Sequence, residues 1–180
     1  MTAFRNWPIA QKIGLAFGFL TIFPLIAFTV FILNRSNNDS VLVDLAGRNR
    51  MISQNIAFNA ELLAKGIGNR STIESSISLL DQSLQAIKHG GIAPEINGKP
   101  NIPGVYQQFQ SEIDNIELAW EPFKKSALIV ATSTNPEEVA QALHQIENGA
   151  SQVLSTNDSL VKSLSGWSKS KEIRKSNILG

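Results

Sequence analysis

Residues 13–33, IGLAFGFLTIFPLIAFTVFIL, form a run of 21 residues without one charged side chain. As a helix rising about 1.5 Å per residue it would be roughly 32 Å long, enough to cross the hydrocarbon core of a bilayer. A helix buried in a soluble core is the plainer alternative, but such helices are seldom this long and uncharged. A cleavable signal peptide has a shorter apolar region, of about 7–15 residues, followed by small residues at the cut. Here the run is longer and leads into NRSNNDS. The reading is an uncleaved signal anchor, in which Pro24 is tolerable.

The flanks set the orientation. Residues 1–12 carry Arg5 and Lys12, no acid, and Trp7 at the position of an interfacial aromatic. The positive-inside rule holds that end in the cytoplasm. Residues 34–180 then lie on the far side, which in a bacterium is the periplasm, so the chain is expected in the inner membrane. Of the 16 basic residues, removing Arg5 and Lys12 leaves 14 to balance the 15 acidic ones. A charge this even offers no basic face for nucleic acid. The absence of cysteine excludes disulfides and thiolate metal sites, and two histidines are too few for an imidazole cluster.

Beyond the anchor the apolar residues recur at helical spacing. Leu42, Leu45, Ile52, Ile56 and Leu63 form one seam, interrupted by Asn49 and Asn59. Ile73, Ile77, Leu80, Leu84 and Ile87 form a second. A third runs from Val105 through Phe109, Ile113, Ile116, Trp120 and Phe123 to Val130, and a fourth from Val139 to Trp167. Three-and-four spacing of this kind marks bundle helices, and no stretch of two-residue alternation predicts a strand. The expected fold is all-α: an N-terminal transmembrane helix followed by an antiparallel four-helix bundle over residues 34–177.

The punctuation agrees. KGIGNRS (65–71) predicts a short turn with Ser71 as the cap of the second helix and Glu74 completing a capping box. GGIAPEINGKPNIPG (90–104) predicts an irregular loop. Asn135 and Pro136 predict the start of the fourth helix, and Pro122 should kink the third. The basic tail KSKEIRK (169–175) suits a headgroup surface or simple solvation equally.

The most specific stretch is DLAGRNRMISQNIA, residues 44–57. On a helix, Ala46, Arg50, Ser53, Ala57, Ala60 and Ala64 fall on one stripe, flanked by Gly47 and Gln54. Small residues in line permit close approach of another helix, and burying an unpaired guanidinium among them is costly. Arg50 could be exposed, could bridge to an acid on another helix, or could share a planar oxyanion with its copy across a two-fold axis. Arg48 points to a different face.

LAGRNRMISQNIA closely resembles the signature of the type IV pilus chemotaxis transducer N-terminal, or PilJ-type, family. LDQSLQAIKHGG (80–91) and VYQQFQSEIDNIELAWEPFKKSA (105–127), with Trp120 at its centre, extend the resemblance to about residues 36–170. The first helix of that family is similar to the sensor domain of nitrate/nitrite sensor kinases. The resemblance implies nitrate or nitrite bound at a homodimer axis by Arg50, with Met51, Gly47 and Gln54 around it. One departure is Asn55, where the family has a second arginine. Intact members normally continue into an output domain, so the chain is expected to be a fragment or to act through a partner.

His144 and Glu147 stand three apart, but a di-metal bundle needs such pairs on two helices. No phosphate loop, nucleophile–histidine–acid set or catalytic carboxylate pair is present, so neither an enzyme, a cofactor nor a metal is expected. The functional expectation is a ligand-sensing domain of a membrane receptor. The rival is a membrane-anchored helical scaffold that binds no small molecule.

Overall fold

The computed structural model describes residues 9–94, 100–105 and 107–179, with side chains from Phe17 onward except at residues 30–38, 172 and 174–179. Four helices carry the fold: α1, Ile9–Ala64; α2, Arg70–His89; α3, Gln110–Thr132; and α4, Pro136–Leu179. The chain divides into two compact units, residues 1–37 and 38–180.

The first unit holds the start of α1. Phe17, Phe19, Leu20, Phe23, Leu25 and Phe28 are all mostly exposed, so the helix shows an apolar sleeve. Thr21 and Thr29 donate their hydroxyls to the carbonyls of Phe17 and Leu25 at 2.9 and 2.8 Å, which hides both polar groups within the helix. Among the described residues no helix is long and apolar enough to cross a membrane. The expected cytoplasmic segment 1–12 and both ends of the expected span, residues 13–16 and 30–33, lie outside the described side chains.

The second unit is a helical bundle, and its polar pairs fix the helix directions. Asp39 meets Lys171 while the later Arg50 meets the earlier Asp158, so α1 and α4 run antiparallel. Asp81 with Lys124 and Lys88 with Glu117 do the same for α2 and α3. Glu112 with Ser163 and Ser126 with Gln145 do so for α3 and α4. The expected seams line the core: Leu42, Leu45 and Ile56; Ile73, Leu80 and Ile87; Ile113, Ile116, Trp120 and Phe123; Ile146, Val153 and Leu160. Trp167, at the end of the fourth seam, is half-buried and meets the edge of Phe109 at 5.9 Å.

Local expectations hold at one end of the chain's turns and fail at another. Asn135 caps α4 by accepting from the Glu137 amide at 3.0 Å. At α2, however, the cap is Asn69 and not Ser71: its carboxamide accepts from the Ser71 amide at 3.0 Å. Asparagine is as good a cap as serine, and Ser71 falls inside the first turn. The expected irregular loop contains a small antiparallel ladder, Gly91–Ile92 with Asn101–Ile102. Its base explains two glycines. Gly90 and Gly104 both take positive φ, 84° and 78°, and a Cβ on either would lie within 2.8 Å of the other strand's backbone. No side chain fits there, so glycine is required.

The α2–α3 interface turns on Asp81. The Trp120 indole donates to it at 2.7 Å and the Lys124 ammonium sits 3.0 Å away. Burial works to lower the Lys124 pKa, but the hydrogen bond and charge of Asp81 outweigh it and raise the value. Trp120→Phe deletes a bond to a charged acceptor, worth about 1.5–3 kcal/mol, and the smaller ring leaves part of the buried indole's space empty, which adds to the cost. Urea unfolding of this variant should show a loss of at least about 1.5–3 kcal/mol.

Candidate functional site

With 3.6 residues per turn, Gly47, Arg50, Met51 and Gln54 lie on one seam of α1, and Phe58 continues it. The structure leaves this seam uncovered. Met51 and Phe58 are 70% and 60% exposed, Gln54 is exposed, and Gly47 and the Arg50 side chain are half-exposed. A Cβ on Gly47 would meet nothing within 4 Å, so the space over the backbone is open. All four residues singled out in the sequence are therefore neighbours on one accessible face.

The small-residue stripe does something other than expected. Ala46, Ser53 and Ala60 are buried inside the protomer. Arg50, on the same stripe, reaches α4 and bonds Asp158 at 3.1 Å. Three of the stripe's small residues are thus covered within the protomer, while Ala57 stays half-exposed and Ala64 exposed. The bridge to an acid on another helix is the reading of Arg50 that the structure adopts.

That bridge is not a closed pair. Asp158 also bonds Lys162 at 2.7 Å, so one carboxylate serves two cations and the cluster keeps a net positive charge. The Lys162 hydrogen bond, with the charges of Lys162 and Arg50, holds the Asp158 carboxyl below its ordinary 3.8 against a smaller opposing effect of burial. The Arg50 Nε is buried and has no hydrogen-bond partner among the described residues. The guanidinium thus keeps an unused donor beside its bonded one. Asn55, in place of the family's second arginine, is occupied locally: its side-chain oxygen accepts from Asn59 at 2.8 Å.

Behind the seam lie two of the asparagines whose places on the apolar seams mark them as register-setting polar residues. Asn49 and Asn157 are fully buried, and the adjacent Arg50–Asp158 bridge brings their turns of α1 and α4 to the same height. Both amide atoms of Asn49 and the side-chain oxygen of Asn157 lack partners among the described residues, while the Asn157 amide donates to the Val153 carbonyl at 2.8 Å. The sequence signal was their place on the apolar seams; that they would go unbonded was not legible. His144 and Glu147 lie on the exposed side of α4, where the His144 ring shares a hydrogen bond with Asn148 at 3.0 Å.

An all-helical bundle with an arginine on the exposed seam of its first helix is what this geometry defines. The family model of the type IV pili methyl-accepting chemotaxis transducer N-terminal domain, PilJ, matches residues 31–147. The chain belongs to that family. No curated protein and no solved structure matches it significantly.

Two outcomes test this geometry. Asn49→Leu removes two unbonded buried polar atoms and should stabilise the bundle by about 1–3 kcal/mol in denaturant unfolding. Asp158 has a depressed folded pKa, so its stabilisation is present above the unfolded value and lost as pH falls through the folded one. The stability difference between wild type and Asp158→Asn should stay level from neutral pH to about 5 and close only in strong acid.

Proposed function

We propose that this chain is the ligand-sensing part of a bacterial membrane chemoreceptor or sensor-kinase-type receptor, binding a small planar oxyanion of the nitrate or nitrite class between two copies. In this reading residues 1–12 are cytoplasmic, residues 13–33 anchor the chain in the inner membrane, and residues 34–177 stand in the periplasm. The domain binds and transmits; it catalyses nothing.

The observation that carries the reading is Arg50: half-exposed, on an uncovered seam, and with its acidic partner shared with Lys162. A planar anion can take two parallel N–H donors of one guanidinium. Two arginines brought together at a two-fold axis repel when alone and become clamps when an anion sits between them. The exposed Met51 and Phe58 favour a second copy as the cover of the seam, because large apolar groups in register on one helix face form the kind of surface that associates. Gly47 leaves room over the backbone, and Gln54 adds a neutral donor beside the charge. Asn55, tied to Asn59, gives the site fewer charges than its relatives have, which weakens affinity without removing the central clamp.

Ligand closure would shift α1 against its partner by an ångström or two, as packed helices can.

Thermal unfolding of the purified 180-residue chain in mild detergent tests the reading. Nitrate at a hundred times its dissociation constant should add about 2.7 kcal/mol of stability, Arg50→Ala should abolish the shift, and Asp158→Asn should tighten binding several-fold by freeing the guanidinium. If nitrate and nitrite do no more than chloride at equal concentration, the anion reading fails and the scaffold reading takes its place.

A further inference from the structure

At the end of the second unit where α1 stops, α2 begins and α3 turns into α4, the helices leave an open groove of about 460 Å³. That is within the range of small-molecule sites, about 300–1,000 Å³. Leu63 of α1, Val130 of α3, and Val139 and Leu143 of α4 give it apolar walls. Its polar groups are few. Arg70, the first residue of α2, lines it, and its side chain is exposed with no hydrogen bond or ion pair among the described residues. Ser133, in the turn between α3 and α4, lines it too, and its hydroxyl donates to the Glu138 carboxylate at 2.7 Å. One free cation, and one carboxylate a single hydrogen bond from the wall, thus meet the same apolar groove.

We infer that this groove binds an α-amino acid with an aliphatic side chain, the carboxylate on Arg70, the ammonium beside Ser133 and Glu138, and the hydrocarbon against the apolar walls. Charge decides between this guest and simpler ones. Arg70 offers a planar fork for two carboxylate oxygens. But α4 opens with two acids, Glu137 and Glu138, and α3 ends here with the negative end of its dipole. A bare anion would be repelled by these groups while drawn to Arg70, and a bare amine would leave Arg70 unused. A zwitterion answers both signs at once. Its acidic partner is held in place: the Asn135 amide donates to the Ser133 oxygen at 3.1 Å, and the serine in turn to Glu138. The walls then ask for a hydrocarbon side chain, since covering apolar surface contributes about 25 cal/mol per Å². Leu63 lies thirteen residues beyond Arg50 on α1, roughly 20 Å along the helix. The groove therefore depends neither on the anion site nor on a second copy of the chain.

Isothermal titration of the 180-residue chain in mild detergent provides the test, with leucine as probe. Its three comparators are 4-methylpentanoate, which lacks the ammonium, isopentylamine, which lacks the carboxylate, and glycine, which lacks the side chain. Leucine should bind more tightly than each of them by about tenfold or more, the worth of one hydrogen-bonded charge. Arg70→Gln should lower leucine affinity to that of isopentylamine without moving the unfolding midpoint, because the exposed side chain has no partner to lose. Glu138→Gln keeps an acceptor for Ser133 and removes the charge, so it should weaken leucine and tighten 4-methylpentanoate; a merely structural acid would not move the two in opposite senses. Arg50→Ala should leave leucine binding unchanged, so failure of the nitrate reading and failure of this one are told apart. No binding of leucine, equal affinity for leucine and 4-methylpentanoate, or indifference to Arg70→Gln would each overturn the assignment.

Discussion

Arg50 of α1 and Asp158 of α4 meet at 3.1 Å, and that contact holds the two helices in register at this height. Ala46, Ser53 and Ala60, on the same stripe of α1 as Arg50, are buried. The rest of the second unit depends on the Arg50–Asp158 contact. With α4 drawn in on one flank and α2 on the other, the seam of Gly47, Met51, Gln54 and Phe58 is left between them, facing outward.

Much of the fold could be read from spacing because the bundle is built from local periodicity. Leu80, Trp120 and Leu160 lie inside because each is one step in a three-and-four pattern, and no long-range information is needed to place them. The four residues singled out through the LAGRNRMISQNIA signature fall on a single face of α1. What the pattern could not give was the neighbour of each face. A stripe of small residues reads the same whether the helix over it belongs to the same chain or to another copy, and only the tertiary arrangement shows that Ala46, Ser53 and Ala60 are covered within the protomer. Likewise Asn69 and Ser71 are both competent caps two residues apart, and the choice between them depends on where the preceding turn delivers the chain.

Polar residues on the seams were legible in the sequence, but their lack of partners was not. Asn49, Ser83 and Asn157 stand on three helices in positions an apolar residue could fill, and each leaves at least one polar atom unbonded. Bundles tolerate such groups when they fix register or oligomeric state, and the loss of packing they impose is the usual companion of an arrangement that must also change. Their proximity to the arginine-bearing turn of α1 places the least satisfied part of the core directly behind the exposed seam.

The two ties between α1 and α4 differ in their surroundings. Arg50–Asp158 is substantially exposed, whereas Asp39 is almost fully buried, bonded by Lys171 at 3.0 Å, with that ammonium also 3.6 Å from the centre of the Trp167 ring. The ties are eleven residues apart on α1, from Asp39 to Asn49 and then Arg50, or roughly 16 Å along the helix. Dissolved ions screen exposed charges far more than buried ones. Raising ionic strength therefore slackens the upper tie and leaves the lower one fastened, so the helix pair behaves as a clothes-peg pinned at its base, with its jaws at Arg50.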